Sequence, residues 1–271
     1  MSERIAFIGG GNMASAIISG LIKQGLSPAH IDVLEPFAEA QTKLQTSFGI
    51  TAQPQAGAFL ANAGLVVWAV KPQTFKEATQ AVAPHTRSAL HLSVAAGIRS
   101  DSIAAWLDTE RVVRAMPNTP ALIGQGISGL FARASVTTQD KTRIDQVIAT
   151  TGQSLWLDAE DQLDVVTALS GSGPAYVFYF MEAMTTAGTE MGLSRAQAHQ
   201  LAVATFCGAS ALAQASSESP QVLRQRVTSK GGTTFAAISS MEDNDVRALF
   251  IDAMYAARER AKELGDEFGA A

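Results

Sequence analysis

Short apolar runs alternate with amphipathic segments along the first 160 residues of this 271-residue chain. The runs are nearly continuous in hydrophobicity, which is typical of strands that are buried on both faces of a parallel sheet. They comprise residues 5–8, 31–34, 65–70, 90–94 and 112–116, with 126–131 and 154–157 as added strands. The segments between them predict helices over 14–26, 39–48, 55–62, 74–81, 100–107 and 138–150. This order predicts an α/β fold with a doubly wound sheet.

Beyond residue 160 the pattern becomes helical and rich in alanine, methionine and leucine. Helices are predicted over 174–191, 195–215, 222–227, 234–241 and 245–264. Ser194 and Gln197 have the spacing of a capping box, Pro174 suits a first helical turn and Gly192 suits a helix stop. We therefore predict two domains, an α/β domain over 1–160 and an all-α domain over 161–271.

One predicted helix has no polar face. Residues 175–181 are apolar all round, and Glu182 is the only charge between Pro174 and Gly188. Such a helix must be buried on all sides, which in a small helical domain suggests burial against a second subunit. Glu182 is then either an interface carboxylate or a catalytic acid, and the first interpretation is favoured.

Composition narrows the classes of function. Apolar residues make up 47% of the chain, which is ample for a core. The chain has 20 Lys and Arg against 25 Asp and Glu, a formal charge of −5 with no basic stripe, so nucleic acid is not an expected partner. No run reaches membrane-spanning length, and residues 1–4 lead into a strand rather than a signal peptide. A cytoplasmic protein without a membrane partner is expected.

Cysteine and histidine suggest neither a disulfide nor a metal site. Cys207 is the only cysteine, and its alanine-rich surroundings predict a buried thiol. The histidines are scattered without metal-ligand spacing, at His30, His85, His91 and His199.

A glycine-rich motif of the form G-x-G-x-x-A follows the first predicted strand. It runs through Ile8, Gly9, Gly10, Gly11, Asn12, Met13 and Ala14. Gly9 permits the turn out of the strand, Gly11 lets a pyrophosphate approach the backbone, and Gly10 is dispensable to this logic. The context favours a Rossmann-type dinucleotide site. The alternative is a strand–turn–helix junction that needs glycine only for its backbone angles.

Glu35 ends the second predicted strand, 21 residues after Ala14. A carboxylate there can accept both ribose hydroxyls of NAD and would repel the 2′-phosphate of NADP, so it favours NADH. Asp32 is a weaker candidate for the ribose contact. The alternative for Glu35 is that it only leads into the next helix and contacts no cofactor. Replacing Glu35 with Ser is expected to raise the relative use of NADPH.

Other clusters follow the later strands, at the edge where such sheets bind ligands. One contains Ala69, Val70, Lys71 and Pro72, another contains Ala95 and Ala96, and a third places Asn118 between two prolines. Together they outline one cofactor crevice, although each alone is barely better than a loop.

The helical half concentrates its chemistry between Ser229 and Thr234. A diglycine that opens a helix presents free N–H groups at a positive dipole end, which suits a carboxylate. The alternative is a tight helix–helix turn with Thr233 as the N-cap, and the residues alone do not separate the two.

With these segments together, the chain resembles the pyrroline-5-carboxylate reductase family from residue 5 to about residue 264. The motifs that carry the resemblance lie at 7–14, 70–73, 116–121, 169–176 and 227–234. It implies hydride transfer from NADPH or NADH to the imine carbon of 1-pyrroline-5-carboxylate, giving L-proline. It also implies a helical dimerisation domain that forms homodimers, which in this family often assemble into decamers.

The resemblance also implies roles for individual residues. Ser229 and the backbone N–H groups of Gly232 and Thr233 would hold the substrate carboxylate. Thr234 would donate or accept a hydrogen bond at the ring nitrogen and is the one catalytic candidate, and Glu160 would make a water-mediated contact.

Two departures from the family pattern bear on these roles. Lys230 stands where the family usually has proline, and we expect a neutral or modestly helpful effect on substrate binding. Family members commonly use NADPH, whereas Glu35 favours NADH. A β-hydroxyacid dehydrogenase would need a catalytic lysine that residues 174–194 lack. A non-catalytic NAD(P) sensor is a further alternative.

Overall fold

Seven strands form one sheet. This computed structural model describes residues 4–269. The signal-peptide prediction rests partly on residues 1–3, which lie outside the described residues. The strands are β1 (Arg4–Ile8), β2 (Ile31–Leu34), β3 (Ala63–Trp68), β4 (Leu90–Ser93), β5 (Val112–Met116), β6 (Gly126–Ala132) and β7 (Gly152–Trp156). Every neighbouring pair is parallel except β5 and β6, which are antiparallel. The predicted Rossmann-type α/β fold is confirmed.

The strand order places β1 at a topological switch point. The order is β2-β1-β3-β4-β5-β6-β7, so the chain leaves β1 towards β2 and then crosses back to β3 on its other side. In open α/β sheets, ligands bind in the crevice beyond the carboxyl ends of the strands at such a point. The glycine-rich motif directly follows β1 and therefore lies at this crevice.

Successive strand residues point to opposite faces of the sheet and pack into two apolar cores, one on each face. Phe7, with its strand neighbours, packs with α1 (Asn12–Lys23), α2 (Ala38–Phe48) and α5 (Thr138–Ile148). Ile8 and Trp68 face the other way and pack with α3 (Pro72–Thr86) and α4 (Ser100–Leu107). Burial on both faces explains why the strands read as continuous apolar runs.

Two segments differ from the sequence-based predictions. The helix predicted over 55–62 is wrong, because Gln53 forms a bridge to Leu34, the chain then bends at residues 54–55, and Gly57 is extended. Only a short 3₁₀ helix follows, Ala58–Asn62. The sequence pattern also missed α6 (Gln162–Val166) and the π turn Thr167–Gly171 that continues from it.

The second part of the chain is helical, as predicted. It contains α7 (Gly173–Glu190), α8 (Arg195–Ala215), α9 (Pro220–Arg226), α10 (Thr233–Asp243) and α11 (Val246–Gly269). The capping box of Ser194 and Gln197 is present at the start of α8, and both of its hydrogen bonds form. Gly192 has φ +107° just after α7, which confirms it as a helix stop.

The chain divides into two compact units, and the first of them is made of two separate stretches of sequence. The first unit contains the described residues up to Ser172 and those from Ala257 onward, and the second contains Gly173–Ala256. The first unit recruits the end of α11 because Phe268 packs against the core on the α3 and α4 face. The predicted boundary at residue 160 stays a prediction.

The helical unit exposes many apolar side chains in the single chain. On α7, Phe178 is 63% exposed and Tyr179 is 70% exposed, while Thr185 and Gly188 are the buried residues of that helix. Cys207 is exposed on α8, so the prediction of a buried thiol is wrong for the single chain. Among the described helices, none combines the length and the apolar character needed to cross a membrane.

Candidate functional site

The glycine-rich loop begins with a turn that only glycine accommodates easily. Gly9 has φ +93°, in the region that side chains rarely adopt. A Cβ at Gly9 would lie 2.7 Å from the Ala69 carbonyl oxygen. The Gly9 N–H donates to the Leu34 carbonyl at 2.8 Å. The loop therefore runs tightly between the ends of β2 and β3.

Gly10 is constrained as well, by contacts inside the protein. Its N–H donates to Glu35 Oε2 at 2.7 Å. A Cβ at Gly10 would lie 2.6 Å from Leu44 Cδ1 and 3.3 Å from Glu35 Oε2. Gly10 therefore contributes to packing inside the protein, a role separate from the approach of a ligand, for which it was predicted to be dispensable.

Gly11 faces open space at the start of α1. It is the N-cap of that helix with no side-chain cap, and a Cβ there would meet no atom within 4 Å. The first amides of a helix have no intrahelical partners, so those of Asn12 and Met13 are available at the positive end of the helix dipole. These features fit the pyrophosphate of a dinucleotide, which needs both room and N–H donors.

Glu35 lies just beyond β2 and is only 5% exposed. Its Oε2 accepts from Gly10 N–H at 2.7 Å, and its Oε1 accepts from Phe37 N–H at 2.9 Å. Gln41 Nε2 donates to the Glu35 carbonyl at 2.7 Å. The residue predicted to read the ribose is thus engaged with the protein backbone.

The remaining cofactor candidates lie after β3, β4 and β5. Ala69 and Val70 are partly buried, Lys71 is the exposed N-cap of α3, and Pro72 is its first residue. Ala95 and Ala96 follow β4, and Ala95 N–H donates to Ser93 Oγ at 3.3 Å. All of these follow strands parallel to β1, so they share its carboxyl edge.

Asn118 follows β5 and its side chain is used within the fold. Its Oδ1 accepts from Ile127 N–H at 3.0 Å, which ties the loop to the start of β6. The side-chain amide N–H₂ of Asn118 remains the group with which the residue could contact a cofactor.

Glu160 belongs to the first unit and is held by an ion pair. Its Oε1 accepts from Arg114 Nη1 and from Ser100 N–H, both at 2.6 Å, and its Oε2 accepts from Ser100 Oγ. Burial lowers the pKa of the Arg114 guanidinium, and the neighbouring Glu160 carboxylate opposes that shift. The carboxylate therefore joins the start of α4 to β5.

Arg114 and Ser100 were not among the predicted site residues. Arg114 interrupts the otherwise apolar run Val112–Met116, and a charged residue inside a buried strand is a signal that could have been used. Arg99 extends the cluster through Asp164, with its Nη1 at 3.0 Å from Asp164 Oδ2. These charges support the loop that follows β4.

The other substrate candidates belong to the helical unit. Gly232, not Thr233, is the N-cap of α10, which corrects that part of the alternative interpretation. Gly232 N–H donates to the Ser229 carbonyl at 3.0 Å, so it is not free to hold a carboxylate. The amides of Thr233 and Thr234 lie in the first turn, where helix geometry leaves N–H groups without intrahelical partners.

Comparison with known proteins decides the family. A profile described as pyrroline-5-carboxylate reductase dimerisation matches residues 160–264, and one described as NADP oxidoreductase, coenzyme F420-dependent, matches residues 4–97. A pyrroline-5-carboxylate reductase of Pseudomonas aeruginosa is 47% identical over 270 residues, 99% of each chain. The chain belongs to the pyrroline-5-carboxylate reductase family.

Other members of the reductase family match over nearly the same length. That of Escherichia coli is 36% identical over 97% of this chain and 99% of its own. The structure of the Coxiella burnetii reductase has a TM-score of 0.90 at 38% identity, covering 97% of this chain and 99% of that one. A Plasmodium falciparum pyrroline carboxylate reductase with NADP bound has a TM-score of 0.87 at 27% identity, covering 97% and 98%. The resemblance inferred from the motifs is thus confirmed.

Proposed function

We propose that this chain is a pyrroline-5-carboxylate reductase, which reduces 1-pyrroline-5-carboxylate to L-proline with NADPH or NADH, the last step of proline biosynthesis. The observation that carries the proposal is the 47% identity to the Pseudomonas aeruginosa reductase over 99% of both chains. The open space at Gly11 supports it, because a nicotinamide reductase needs a place for the pyrophosphate.

The cofactor is assigned to the crevice beside β1 and β3. Gly11 and the first amides of α1 hold the pyrophosphate there, and the small side chains of Ala95 and Ala96 leave room for the nicotinamide ribose. A reduced nicotinamide in this position supplies the hydride. The NADP bound in the Plasmodium falciparum relative supports a cofactor of this class.

The substrate is assigned to the start of α10. The Thr233 amide and the Ser229 hydroxyl hold its carboxylate, while the Gly232 N–H donates to the Ser229 carbonyl and shapes the turn. Thr234 is exposed in the first turn of α10 and hydrogen-bonds the ring nitrogen. Lys230 is exposed beside this turn and adds a positive charge, so Lys230→Pro is expected to raise the substrate KM modestly.

The proposed chemistry places small demands on acid–base groups. The imine can arrive protonated as an iminium, which is already electrophilic at carbon, so hydride addition leaves a neutral amine without a proton from the protein. The contribution of the chain is then to bind each reactant and to orient it. This agrees with a site built from amides and hydroxyls.

The proposal extends to domains, assembly and location. We assign dinucleotide binding to residues 1–160 and dimerisation with substrate binding to 161–271, which the start of the dimerisation profile at residue 160 supports. The exposed apolar side chains of α7 support a homodimer, which could assemble further into a decamer. A cytoplasmic enzyme without nucleic-acid or membrane partners completes the assignment.

A direct assay tests the activity. Loss of reduced nicotinamide absorbance is followed with NADH and NADPH separately, with and without pyrroline-5-carboxylate, and proline is identified in the product. Substrate-dependent oxidation of at least one cofactor with formation of proline is expected. Cofactor binding without turnover would instead favour a non-catalytic sensor.

A further inference from the structure

We propose that Glu35 is a positioning residue, which holds the glycine loop in its phosphate-binding shape and does not read the 2′ position of the cofactor. The proposal rests on dinucleotide binding by the first unit, one part of the proposed function. It replaces the sequence argument that Glu35 selects NADH.

Both carboxylate oxygens of Glu35 are engaged by backbone amides. Oε2 accepts from Gly10 at 2.7 Å and Oε1 accepts from Phe37 at 2.9 Å. With 5% of the residue exposed, little of the carboxylate remains for a ligand to reach. Hydrogen bonds from amides to an ionised carboxylate are stronger than neutral ones, and they offset the cost of burying the charge.

The contact with Gly10 fixes the loop from the side opposite the ligand. Gly9 is already tied to β2 through the Leu34 carbonyl, and the next amide, that of Gly10, would be buried without a partner if Glu35 were absent. Leu44 of α2 closes over the same residue, since a Cβ at Gly10 would come within 2.6 Å of its Cδ1. The loop is thus clamped by β2 and α2, and Gly11 is presented to solvent.

The clamp acts on a part that NADH and NADPH share. The glycine loop and the start of α1 contact the pyrophosphate, which is identical in the two cofactors. Loosening the loop should therefore weaken both cofactors by the same factor. Direct reading of the ribose would weaken NADH and strengthen NADPH.

Three variants separate the two interpretations. Glu35→Gln keeps the size but can accept only one of the two amide hydrogen bonds, and Glu35→Asp keeps the charge but is one methylene too short to reach both amides. Asp32→Asn is the matched control, because Asp32 lies on β2, which ends directly before Glu35, and pairs with Arg4 at 2.6 Å.

Binding is measured by titrating the full chain with NADH and with NADPH and following nicotinamide fluorescence, without substrate. Both Glu35 variants should raise the two Kd values about tenfold, the loss expected for one charge-assisted hydrogen bond, with the ratio of the two values kept within about twofold. Asp32→Asn should change neither Kd. Thermal melts verify that each variant is folded, and in turnover the cofactor KM should rise while kcat at saturation is retained.

Several results would overturn the proposal. They are a fall in the Kd for NADPH, a shift of the Kd ratio beyond about fivefold (about 1 kcal/mol of discrimination), unchanged Kd values in both Glu35 variants, or no binding of either dinucleotide by the native chain. Normal dinucleotide binding without reduction of pyrroline-5-carboxylate would remove the reductase assignment alone and leave this inference standing.

Discussion

Gly9 and Gly11 lie two residues apart in the glycine loop, and their Cβ positions have opposite surroundings. At Gly9 a methyl group would meet the Ala69 carbonyl oxygen, and φ is +93°. At Gly11 it would meet nothing within 4 Å, and φ is −69°. The fold requires the first glycine, and we expect a bound pyrophosphate to require the second.

Alanine at each position tests this difference. Gly9→Ala should lower the free energy of unfolding by about 1–3 kcal/mol, the cost of a strained backbone conformation. Gly11→Ala should leave stability unchanged but weaken NADH and NADPH more than tenfold, because its methyl group takes the space of the pyrophosphate. Urea denaturation and dinucleotide titration measure the two effects. Equal loss of stability in both variants would contradict the distinction.

His91 is buried, and each of its two ring nitrogens forms a hydrogen bond within the protein. Trp68 Nε1–H donates to His91 Nδ1 at 3.0 Å, so the His91 Nε2–H donates to the Thr86 carbonyl at 3.2 Å and the ring is neutral. Burial, together with the smaller effect of the Arg111 charge, lowers the pKa of His91 to about 4 against the opposing effect of the Thr86 carbonyl.

This shift predicts acid sensitivity. The unfolded chain, with an ordinary pKa of 6.5, takes up the proton before the folded chain does. The stabilising contribution is therefore complete above pH 6.5 and falls as the pH drops towards 4, by about 2 kcal/mol between pH 7.5 and pH 5. Urea denaturation across this range should show a smaller pH dependence for His91→Gln. His85→Gln, which changes a histidine at the end of α3, should retain the native slope.

For single residues, the sequence predicted which residues belong to the candidate site better than it predicted which residues they contact. Gly9, Gly11 and Glu35 were identified from spacing alone, but spacing does not show that Gly10 and Glu35 bind each other. That contact joins residues 25 positions apart and depends on how β1 and β2 pair. A local pattern carries no information about such a partner.

Between elements, the ion pair of Arg114 and Glu160 joins β5 to the segment before α6. The Arg114 side chain is 6% exposed and that of Glu160 is 19% exposed, with 2.6 Å between the charged atoms. Ser100 adds two hydrogen bonds from the start of α4. One carboxylate thus joins the consecutive elements α4 and β5 to a segment 46 residues beyond Arg114.

Removing this carboxylate should mainly destabilise the fold. Glu160→Gln leaves the buried Arg114 charge without its counter-charge, which should lower the free energy of unfolding by about 3 kcal/mol. Asp158→Asn, an exposed carboxylate nearby in sequence, should be neutral. Thermal melts and the KM for pyrroline-5-carboxylate measure the outcome. A raised KM at native stability would instead support the substrate contact that the family resemblance implies.

For some elements, periodicity predicted both the type and the bounds. The strands Ile31–Leu34 and Val112–Met116 and the helices Ser100–Leu107 and Arg195–Ala215 match the predictions in full. The helix predicted over 55–62 did not form in full: a bridge from Gln53 to Leu34, which is a tertiary contact, and a bend at residues 54–55 precede a short 3₁₀ helix. The π turn after α6 has no periodic signature that could have revealed it.

For the whole molecule, the apolar surface of α7 predicts assembly. A helix that exposes Phe178 and Tyr179 to this degree is unusual on a monomer, since such patches mark interaction sites. Phe178→Asp should shift the protein from dimer or larger species to monomer in analytical ultracentrifugation. Phe37→Asp, an aromatic of 72% exposure in the first unit, is the matched control and should leave the assembly unchanged.

The end of α11 belongs to the first unit. Leu264 lies against Gly97, where a Cβ would be 3.3 Å from the Leu264 Cβ, and Gly265 packs on the guanidinium of Arg99. These residues are synthesised more than 90 positions after Ser172, where the rest of that unit ends. The unit that contains the glycine loop therefore cannot complete its packing on the ribosome until nearly the whole chain has emerged. A fragment that stops at Ser172 would emerge from translation with the surface beneath Phe268 uncovered.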